Sequence, residues 1–172
     1  PRFTAVNEVG CDPEVAGISV DDFHDFARTL GEKFPTTMTT LSTHDTKRST
    51  DVRARLASLT EFPQHWDQTI TALETATASQ RSELLDGATI NLLWQTLAGT
   101  WRLPGTAAGA TPISDDRLIT YLTKAVREAK SHTTWTDPDV DYESALLDLA
   151  TFCLNDDSVA NALDSFTETT ST

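Results

Sequence analysis

The sequence predicts a mainly α-helical fold with one candidate strand. Apolar residues recur every three or four positions through most of the chain, which is the period of an amphipathic helix. Ser, Asp or Pro stands where these runs begin, as is typical of helix starts. Only residues 36–42, TTMTTLS, have the composition of a short strand. Because one strand cannot pair its backbone groups in a helical bundle, we expect either partner strands outside this chain or an ordered loop.

The predicted elements follow one another in a simple order. The first helix covers 19–33, with Ser19 as its cap, and the candidate strand comes next. A loop rich in Pro and Gly is predicted at 103–112, and residues 167–172 are predicted to be a disordered tail. The later predicted helices begin at Ser49 or Thr50, at Pro63, near Glu83, at Ser114, at Asp137 with Pro138 as first residue, and at Ser158, the last one ending at Phe166.

The charge and composition of the chain exclude several kinds of partner. Thirteen basic and 26 acidic residues give a formal net charge of −13, which disfavours nucleic acids and anionic membranes. The chain has no apolar run long enough for a transmembrane helix. Cys11 and Cys153 are expected to be free thiols in a reducing, cytoplasmic compartment. Since the chain starts without Met and without a signal peptide, we expect it to be a piece of a longer protein.

A short basic stretch next to a His-Asp pair is the most unusual feature of this acidic chain. Four cations lie within nine residues, namely Lys47, Arg48, Arg53 and Arg55. They follow His44 and Asp45 directly. The simplest interpretation is structural, with Asp45 or Ser49 capping the next helix, because Asp and Ser side chains accept hydrogen bonds from the first helical amides.

A metal site is the second interpretation of the His-Asp pair. In one class of helical phosphohydrolases, two His and two Asp side chains bind a divalent metal, and imidazole and carboxylate ligands suit such ions. His24, Asp51 and Asp137 could supply the further ligands here. However, the His-Asp pair of that class lies on a helix, whereas this one follows TMTTLST, which forms helices poorly.

Carbohydrate chemistry is the third interpretation. An aspartate at the end of a barrel strand, beside a His, can bind the hydroxyls of a sugar ring and hold the ring in a distorted, oxocarbenium-like form. Lys47 and Arg48 would then donate hydrogen bonds to a neighbouring sugar. A neutral ligand also explains why a basic cluster occurs in an acidic protein.

Several longer segments occur in the order found in a known family. They are AVNEVGCDP, STHDTKRSTDVRARLASLTEFPQHW, LLWQTLAGTW and YLTKAVREAKSHTTWTDPDVDYE. On these segments the chain, from about Phe3 to Asp148, resembles the maltooligosyltrehalose synthase family of the α-amylase superfamily. One departure is Thr50, where the family has an acidic residue; the following Asp51 is kept.

The resemblance implies a (β/α)8 barrel with helical insertions. Residues 1–48 would be a barrel-edge segment with the helix 19–33, the strand 36–42 and a catalytic loop 43–48, and residues 49–166 an all-helical insertion domain. The implied reaction converts the reducing-end α-1,4 bond of a maltooligosaccharide into an α,α-1,1 trehalosyl bond by intramolecular transfer with retention. The resemblance implies no cofactor or metal in this chemistry, and it implies a second hydrolase that releases trehalose from the product.

The resemblance also assigns roles to single residues. The THDTK motif implies that Asp45 stabilises the transition state and that His44 binds the same sugar ring. The nucleophile and the acid/base are expected upstream of Pro1, because Glu8 in NEVG does not match the motif of the acid/base. The chain alone is therefore expected to be inactive. The alternatives are a metal-dependent helical phosphohydrolase and a helical interaction domain without catalytic activity.

A second family-like motif follows the helix that starts at Ser114. Its residues Lys130, His132 and Trp135 are expected to contact substrate. Two interpretations of Trp135 stay open, stacking on a sugar face or filling the core. Lys124, Arg127 and Lys130 share one side of that helix, which is more typical of a solvated face than of ligand contacts.

Overall fold

The fold is described by a computed structural model that covers residues 3–12, 14–15, 17–105 and 112–171. All regular secondary structure in those ranges is helical, which confirms the mainly α-helical prediction. A short 3-10 turn, Thr4–Val6, comes first. The helices are α1 Val20–Lys33, α2 Thr50–Glu61, α3 Pro63–Ala76, α4 Gly87–Thr100, α5 Asp115–Ala129, α6 Val140–Asn155 and α7 Asp157–Thr170. In the part of the chain so described, no helix has both the length and the apolar character needed to cross a membrane.

The strand predicted at 36–42 does not form in this structure. These residues are neither helix nor strand, and Met38 and Leu41 are 95% and 74% exposed. Because the described residues contain no strand, the backbone groups of this segment have no neighbouring strand with which to form sheet hydrogen bonds. Ser42 instead shares a hydrogen bond of 2.8 Å with the hydroxyl of Thr50, so the segment ends as an ordered connection to α2.

Most helices begin where a capping or helix-initiating residue was predicted. Ser19 and Ser49 accept hydrogen bonds from amides in the first turns of α1 and α2, and Pro63 lies in the first turn of α3. Helix α4 begins directly after Asp86, not near Glu83, because the Asp86 carboxylate caps it. The residues before Asp86 are therefore a connection and not the first turn predicted for them.

Helix α6 begins two residues later than predicted. Asp139, not Asp137, is its cap and accepts a hydrogen bond from the amide of Tyr142 at 3.0 Å. Asp137 belongs to a turn, in which its amide donates to the hydroxyl of Thr134 at 2.9 Å and its carbonyl accepts from the Thr134 amide at 3.1 Å. Both hydrogen bonds use main-chain atoms of Asp137 and hold this residue in the turn, so the helix starts after it.

The last helix is longer than the sequence predicts. Helix α7 continues to Thr170, so residues 167–170 form its last turn and not a tail. The reason is tertiary: α7 packs along α3, and Phe166 and Thr167 are 4% and 5% exposed. Residue 172 of the predicted tail and residues 106–111 of the predicted loop lie outside the described residues.

The core is built around α4. Leu93, Trp94 and Leu97 on this helix are at most 2% exposed. They belong to one apolar cluster with buried side chains of α3, α5, α6 and α7, including Leu73, Leu122, Leu146, Leu149 and Leu163. Full burial of each such side chain contributes about 1.5–3 kcal/mol, so α4 is the element on which the fold depends most.

A close contact between α4 and α2 makes Gly99 necessary. A Cβ atom at Gly99 would lie 2.9 Å from Cγ1 of Val52 and 3.4 Å from Cγ of Leu56. Val52 is β-branched and cannot easily turn away. We expect Gly99→Ala to lower the free energy of unfolding by about 1–2 kcal/mol, because the helices must separate.

The matched control for this prediction is Gly87→Ala on the same helix. No atom lies within 4 Å of the Cβ position there, so the same substitution should be neutral or stabilise by about 0.5 kcal/mol. Urea unfolding of both variants measures the difference. Equal stabilities of the two variants would contradict the proposed close contact.

The first helix, α1, has no buried residue although it is amphipathic. Phe23 and Phe26 on its apolar side are 55% and 64% exposed, and Ile18, Val20 and Phe34 extend the same exposed surface. Large contiguous apolar surfaces of this kind are usually covered by another part of a protein or by a partner. The helix therefore has the composition of a packed element but lacks its packing partner among the described residues.

Candidate functional site

The loop at 43–48 has a defined local structure. The hydroxyl of Thr43 accepts a hydrogen bond from the Asp45 amide at 3.2 Å, and its carbonyl accepts from the hydroxyl of Thr46 at 2.8 Å. Ser49 then caps α2, with its hydroxyl 3.4 Å from the amide of Val52. Of the two candidates for that cap, the structure selects Ser49, and the side chain of Asp45 is not used for capping.

This loop forms one wall of a cavity of about 680 Å3. Its volume lies in the range of about 300–1,000 Å3 that is usual for ligand pockets. The other walls are the start of α4, one side of α5, and the turn that joins α5 to α6. The polar residues that line it are Thr4, Asn7, His44, Asp45, Thr46, Lys47, Arg48, Asp86, Thr89, Tyr121, Lys124, Glu128, Ser131, His132 and Tyr142.

His44 and Asp45 lie at the open edge of this cavity. Their side chains are 91% and 65% exposed, and Nε2 of His44 lies 3.5 Å from Oδ2 of Asp45. The carboxylate therefore remains accessible to a ligand from the solvent side. Both residues were predicted from the sequence, and the structure brings them to the same cavity as His132.

The four clustered cations separate in space. Nζ of Lys47 lies 3.5 Å from Oε2 of Glu128 on α5, which leaves it at the cavity wall. Arg48 is 9% exposed and donates to the Thr4 carbonyl at 3.1 Å and to the Tyr121 hydroxyl at 2.8 Å. Its guanidinium thus joins the N-terminal turn to α5, and its hydrogen bonds are directed to the protein.

The other two cations of the cluster are directed away from the cavity. Arg53 donates to the carbonyl of Leu41 and to the hydroxyl of Ser42, so it fixes the segment before the loop. Arg55 donates to the carbonyl of Trp101 at 2.6 Å, which ties α2 to the end of α4. The basic stretch is therefore a set of separate structural contacts, and only Lys47 and Arg48 lie at the cavity.

Glu8 holds the loop from the N-terminal side. Its Oε1 accepts hydrogen bonds from the amide of Lys47 at 2.7 Å and from the amide of Val9 at 2.9 Å. Its Oε2 accepts a hydrogen bond from the amide of Arg48 at 3.2 Å. Burial raises the pKa of Glu8, but these three backbone hydrogen bonds and the nearby charge of Arg53 outweigh burial, and the net pKa lies below its usual value. The carboxylate form is thus the one that the loop stabilises.

A second His-Asp pair lies on the opposite part of the cavity. Nε2 of His132 lies 3.0 Å from Oδ2 of Asp86, and the His132 ring stacks on Tyr142 with ring centres 4.8 Å apart. The Tyr142 hydroxyl shares a hydrogen bond of 2.7 Å with Thr89. The Thr89 amide and the His132 side chain lower the pKa of Asp86 to about 2, so Asp86 is ionised and orients the His132 ring.

Lys130 and Trp135 are not among the described residues that line the cavity. Lys130 ends α5 in the left-handed region, with φ 57°, and its amide donates to the Val126 carbonyl. Trp135 is 56% exposed, with the Arg127 guanidinium 5.0 Å from its ring centre. The interpretation of Trp135 as a core residue is therefore wrong, while stacking on a sugar remains a prediction.

The metal interpretation gains no support from the arrangement of side chains. Within the described ranges, no three His, Cys, Asp or Glu side chains come close enough together to hold a metal ion. His24 lies on the exposed helix α1, and Asp137 belongs to the turn before α6. The residues proposed to bind a metal together with His44 and Asp45 therefore do not lie in one cluster with them.

Cys11 and Cys153 are both free, as expected, and burial raises the pKa of Cys153 to about 12.

The charges of the cavity balance although the chain is strongly acidic. Asp45, Asp86 and Glu128 face Lys47, Arg48 and Lys124, and two histidines and several hydroxyls complete the lining. Such a surface offers both donors and acceptors without a dominant sign of charge. It suits a neutral ligand with many hydroxyl groups better than a polyanion or a polycation.

The sequence prediction gave no role in the site to three residues that hold its groups in place, Glu8, Asp86 and Tyr142. Glu8 contacts residues 39 and 40 positions away, and Asp86 contacts a residue 46 positions away, so no local pattern reveals either pairing. Asp86 precedes a helical run and could have been recognised as its cap, but its second role could not. Tyr142 could not be recognised from the sequence, because its stacking on His132 depends on the turn between α5 and α6.

Comparison with known proteins gives one consistent result. No sequence-family profile matches the chain. A Mycobacterium tuberculosis protein named as a maltooligosyl trehalose synthase is 39% identical over 142 residues, which are 83% of this chain and 18% of that protein. The structure of maltooligosyltrehalose synthase from Arthrobacter ramosus superposes with a TM-score of 0.83 and 35% identity, over 99% of this chain and 21% of that chain.

A structure from Sulfolobus tokodaii, described as a hypothetical maltooligosyl trehalose synthase, superposes with a TM-score of 0.81 and 28% identity, over 98% of this chain and 22% of that chain. This chain therefore spans about a fifth of the length of the proteins that it resembles. Its helical arrangement recurs in each of these structures.

Proposed function

Since this chain belongs to the maltooligosyltrehalose synthase family, we propose that it forms part of an enzyme that rearranges the reducing end of a maltooligosaccharide. The reaction would convert the terminal α-1,4 bond into an α,α-1,1 trehalosyl bond by intramolecular transfer with retention. The observation that supports this most is the cavity that joins the His44-Asp45 loop to His132 with a balanced set of charges. The product would suit a second hydrolase that releases trehalose, and we place the reaction in the cytoplasm.

In this proposal Asp45 binds the hydroxyls of the sugar ring that is distorted in the transition state, and His44 binds the same ring. The exposure of both side chains supports this role, because a ligand can reach them directly. Lys47 would donate to a neighbouring sugar. Arg48 would act mainly through Thr4 and Tyr121, to which its guanidinium already donates.

His132 would contact the sugars on the other side of the cavity, and Lys130 and Trp135, which lie outside the cavity lining, would contact sugars beyond it. His132 is the best supported of the three, since it lines the cavity and its ring is held by Asp86 and Tyr142. The exposed Trp135 ring offers a surface on which a sugar ring can stack. Lys130 lies shortly before Trp135 in the chain, at the point where α5 ends.

The remaining chemistry would come from other parts of the parent protein. A nucleophile and an acid/base carboxylate are required for retention, and we propose that both lie outside this chain, which alone would be inactive. The exposed apolar side of α1, with Phe23 and Phe26, would pack against the barrel of the parent.

The proposal predicts a defined activity for a full-length protein that contains this chain. Incubation with a maltooligosaccharide should remove reducing ends without a matching release of glucose. His132→Ala should raise the KM about three- to tenfold, because one hydrogen bond to a sugar hydroxyl is lost. A reducing-sugar assay and product chromatography measure both effects.

The matched control is His65→Ala, since His65 is exposed on α3 and lies outside the cavity lining. This variant should retain the KM of the unmodified protein. A full-length protein that leaves all reducing ends intact would overturn the proposed reaction, and an unchanged KM in His132→Ala would overturn the role of His132.

A further inference from the structure

The loop that carries Asp45 has its own internal hydrogen bonds, and Glu8 connects it to the N-terminal segment. Its internal hydrogen bonds all return to Thr43 and define only a local turn. The carboxylate of Glu8 accepts hydrogen bonds from the backbone amides of Lys47 and Arg48, one on each oxygen. These amides directly follow the turn, so Glu8, together with the side-chain contacts of Lys47 and Arg48, fixes where the turn lies relative to the rest of the protein.

The segment that contains Glu8 is itself tied to the core. The amide and the hydroxyl of Thr4 donate to Oε1 of Gln95 on α4 at 2.8 and 2.9 Å, and Gln95 is 2% exposed. The carbonyl of Thr4 accepts from the guanidinium of Arg48. Hydrogen bonds therefore lead from the central helix through Thr4 to Arg48, and Glu8, four residues after Thr4 in the chain, adds its own hydrogen bonds to the backbone of the same loop.

We infer that Glu8 is a positioning residue that sets the location of the Asp45 carboxylate in the cavity through the backbone of Lys47 and Arg48. Its own oxygens are used by amides of the protein, so it acts through the loop and not on the sugar. The inference rests on the proposed function, in which Asp45 binds the distorted sugar. Two charge-assisted hydrogen bonds to adjacent amides are a strong and directional restraint.

The test uses the full-length parent protein and the reducing-end assay. Glu8→Ala removes both acceptors, and we expect kcat to fall about ten- to a hundredfold with little change in KM, because a small displacement of a catalytic group is costly. Glu8→Gln keeps one carbonyl oxygen for the Lys47 amide but presents NH2 to the Arg48 amide. It should retain an intermediate kcat and a nearly unchanged thermal unfolding midpoint.

A double substitution separates positioning from a general loss of stability. If Glu8 acts through Asp45, then Glu8→Ala combined with Asp45→Asn should be no slower than Asp45→Asn alone. Amide exchange in a peptide that covers 43–49 should also become faster in Glu8→Ala. The control Glu168→Ala removes an equal charge from an exposed position of α7 and should leave kcat and this exchange unchanged.

The outcomes distinguish this inference from the proposed function. Full turnover in Asp45→Asn would overturn the role of Asp45, and with it the proposal on which the inference rests. A large loss in Asp45→Asn together with normal kcat in Glu8→Ala would overturn the inference alone. Losses that multiply in the double variant, or a fall of kcat matched by a fall of the unfolding midpoint in both Glu8 variants, would overturn it as well.

Discussion

Replacing Asp45 by Asn in the full-length parent is expected to lower turnover about a hundredfold or more. Asn has the size of Asp and can accept one hydrogen bond, but it lacks the charge that strengthens hydrogen bonds to the hydroxyls of a distorted, electron-poor sugar ring. Because the Asp45 side chain is 65% exposed and is not used to cap α2, its substitution should leave folding intact. The rate at which reducing ends disappear at saturating maltooligosaccharide measures the effect.

Asp67→Asn is the matched control for this prediction. Asp67 is exposed on α3 and lies outside the cavity lining, so the same chemical change there should leave turnover unchanged. Circular dichroism should show the same helix content for both variants. An Asp45→Asn protein with the turnover of the control would remove Asp45 from the chemistry.

Removal of Glu143 is expected to destabilise the fold far more than removal of an exposed member of an ion pair. Its carboxylate accepts from Nε and Nη2 of Arg127 at 2.8 and 2.6 Å and from the hydroxyl of Thr133. The Glu143 side chain is 10% exposed. We expect Glu143→Ala to lower the free energy of unfolding by about 3 kcal/mol, the lower end for a broken buried pair, because Arg127 keeps 24% of its side chain in contact with solvent.

The control for Glu143 is an exposed ion pair of the same kind. Asp25 pairs with Arg28 on α1, with side chains 67% and 63% exposed, so Asp25→Ala should change the free energy of unfolding by less than about 1 kcal/mol. Urea unfolding of both variants at pH 7 makes the comparison. A cost for Glu143→Ala no larger than that for Asp25→Ala would contradict the buried network.

The same network predicts an acid dependence of stability. The hydrogen bonds from Arg127 lower the pKa of Glu143, burial raises it, and the Thr133 hydroxyl lowers it further, with a net value below the usual 4.5. A lowered folded-state pKa means that this stabilisation is present above about pH 4.5 and is lost as the pH falls further. As the pH falls from 5 to the value at which the chain unfolds, the free energy of unfolding should therefore decrease less for Glu143→Gln than for the unmodified chain.

Local chemistry predicted the helical fold, and a resemblance to a known family assigned the candidate residues of the site. Ser19, Ser49 and Pro63 mark helix starts because capping and a fixed proline φ act within a few residues of the chain. The order of several unusual motifs indicated the family, and it singled out His44, Asp45 and His132, which the structure brings to one cavity. The helix starts could be predicted because each depends on neighbours in the sequence, whereas the site residues were predicted only through the resemblance.

Tertiary structure alone decided which of these residues meet and how they are held. The strand predicted at 36–42 does not form, because its backbone groups find no partner among the described residues, whereas the predicted tail is helical through Thr170 because α7 packs on α3. Glu8 and Asp86 became part of the site through hydrogen bonds to residues about 40 or more positions away. Such contacts depend on the packing of distant helices, and no pattern of local residues specifies them.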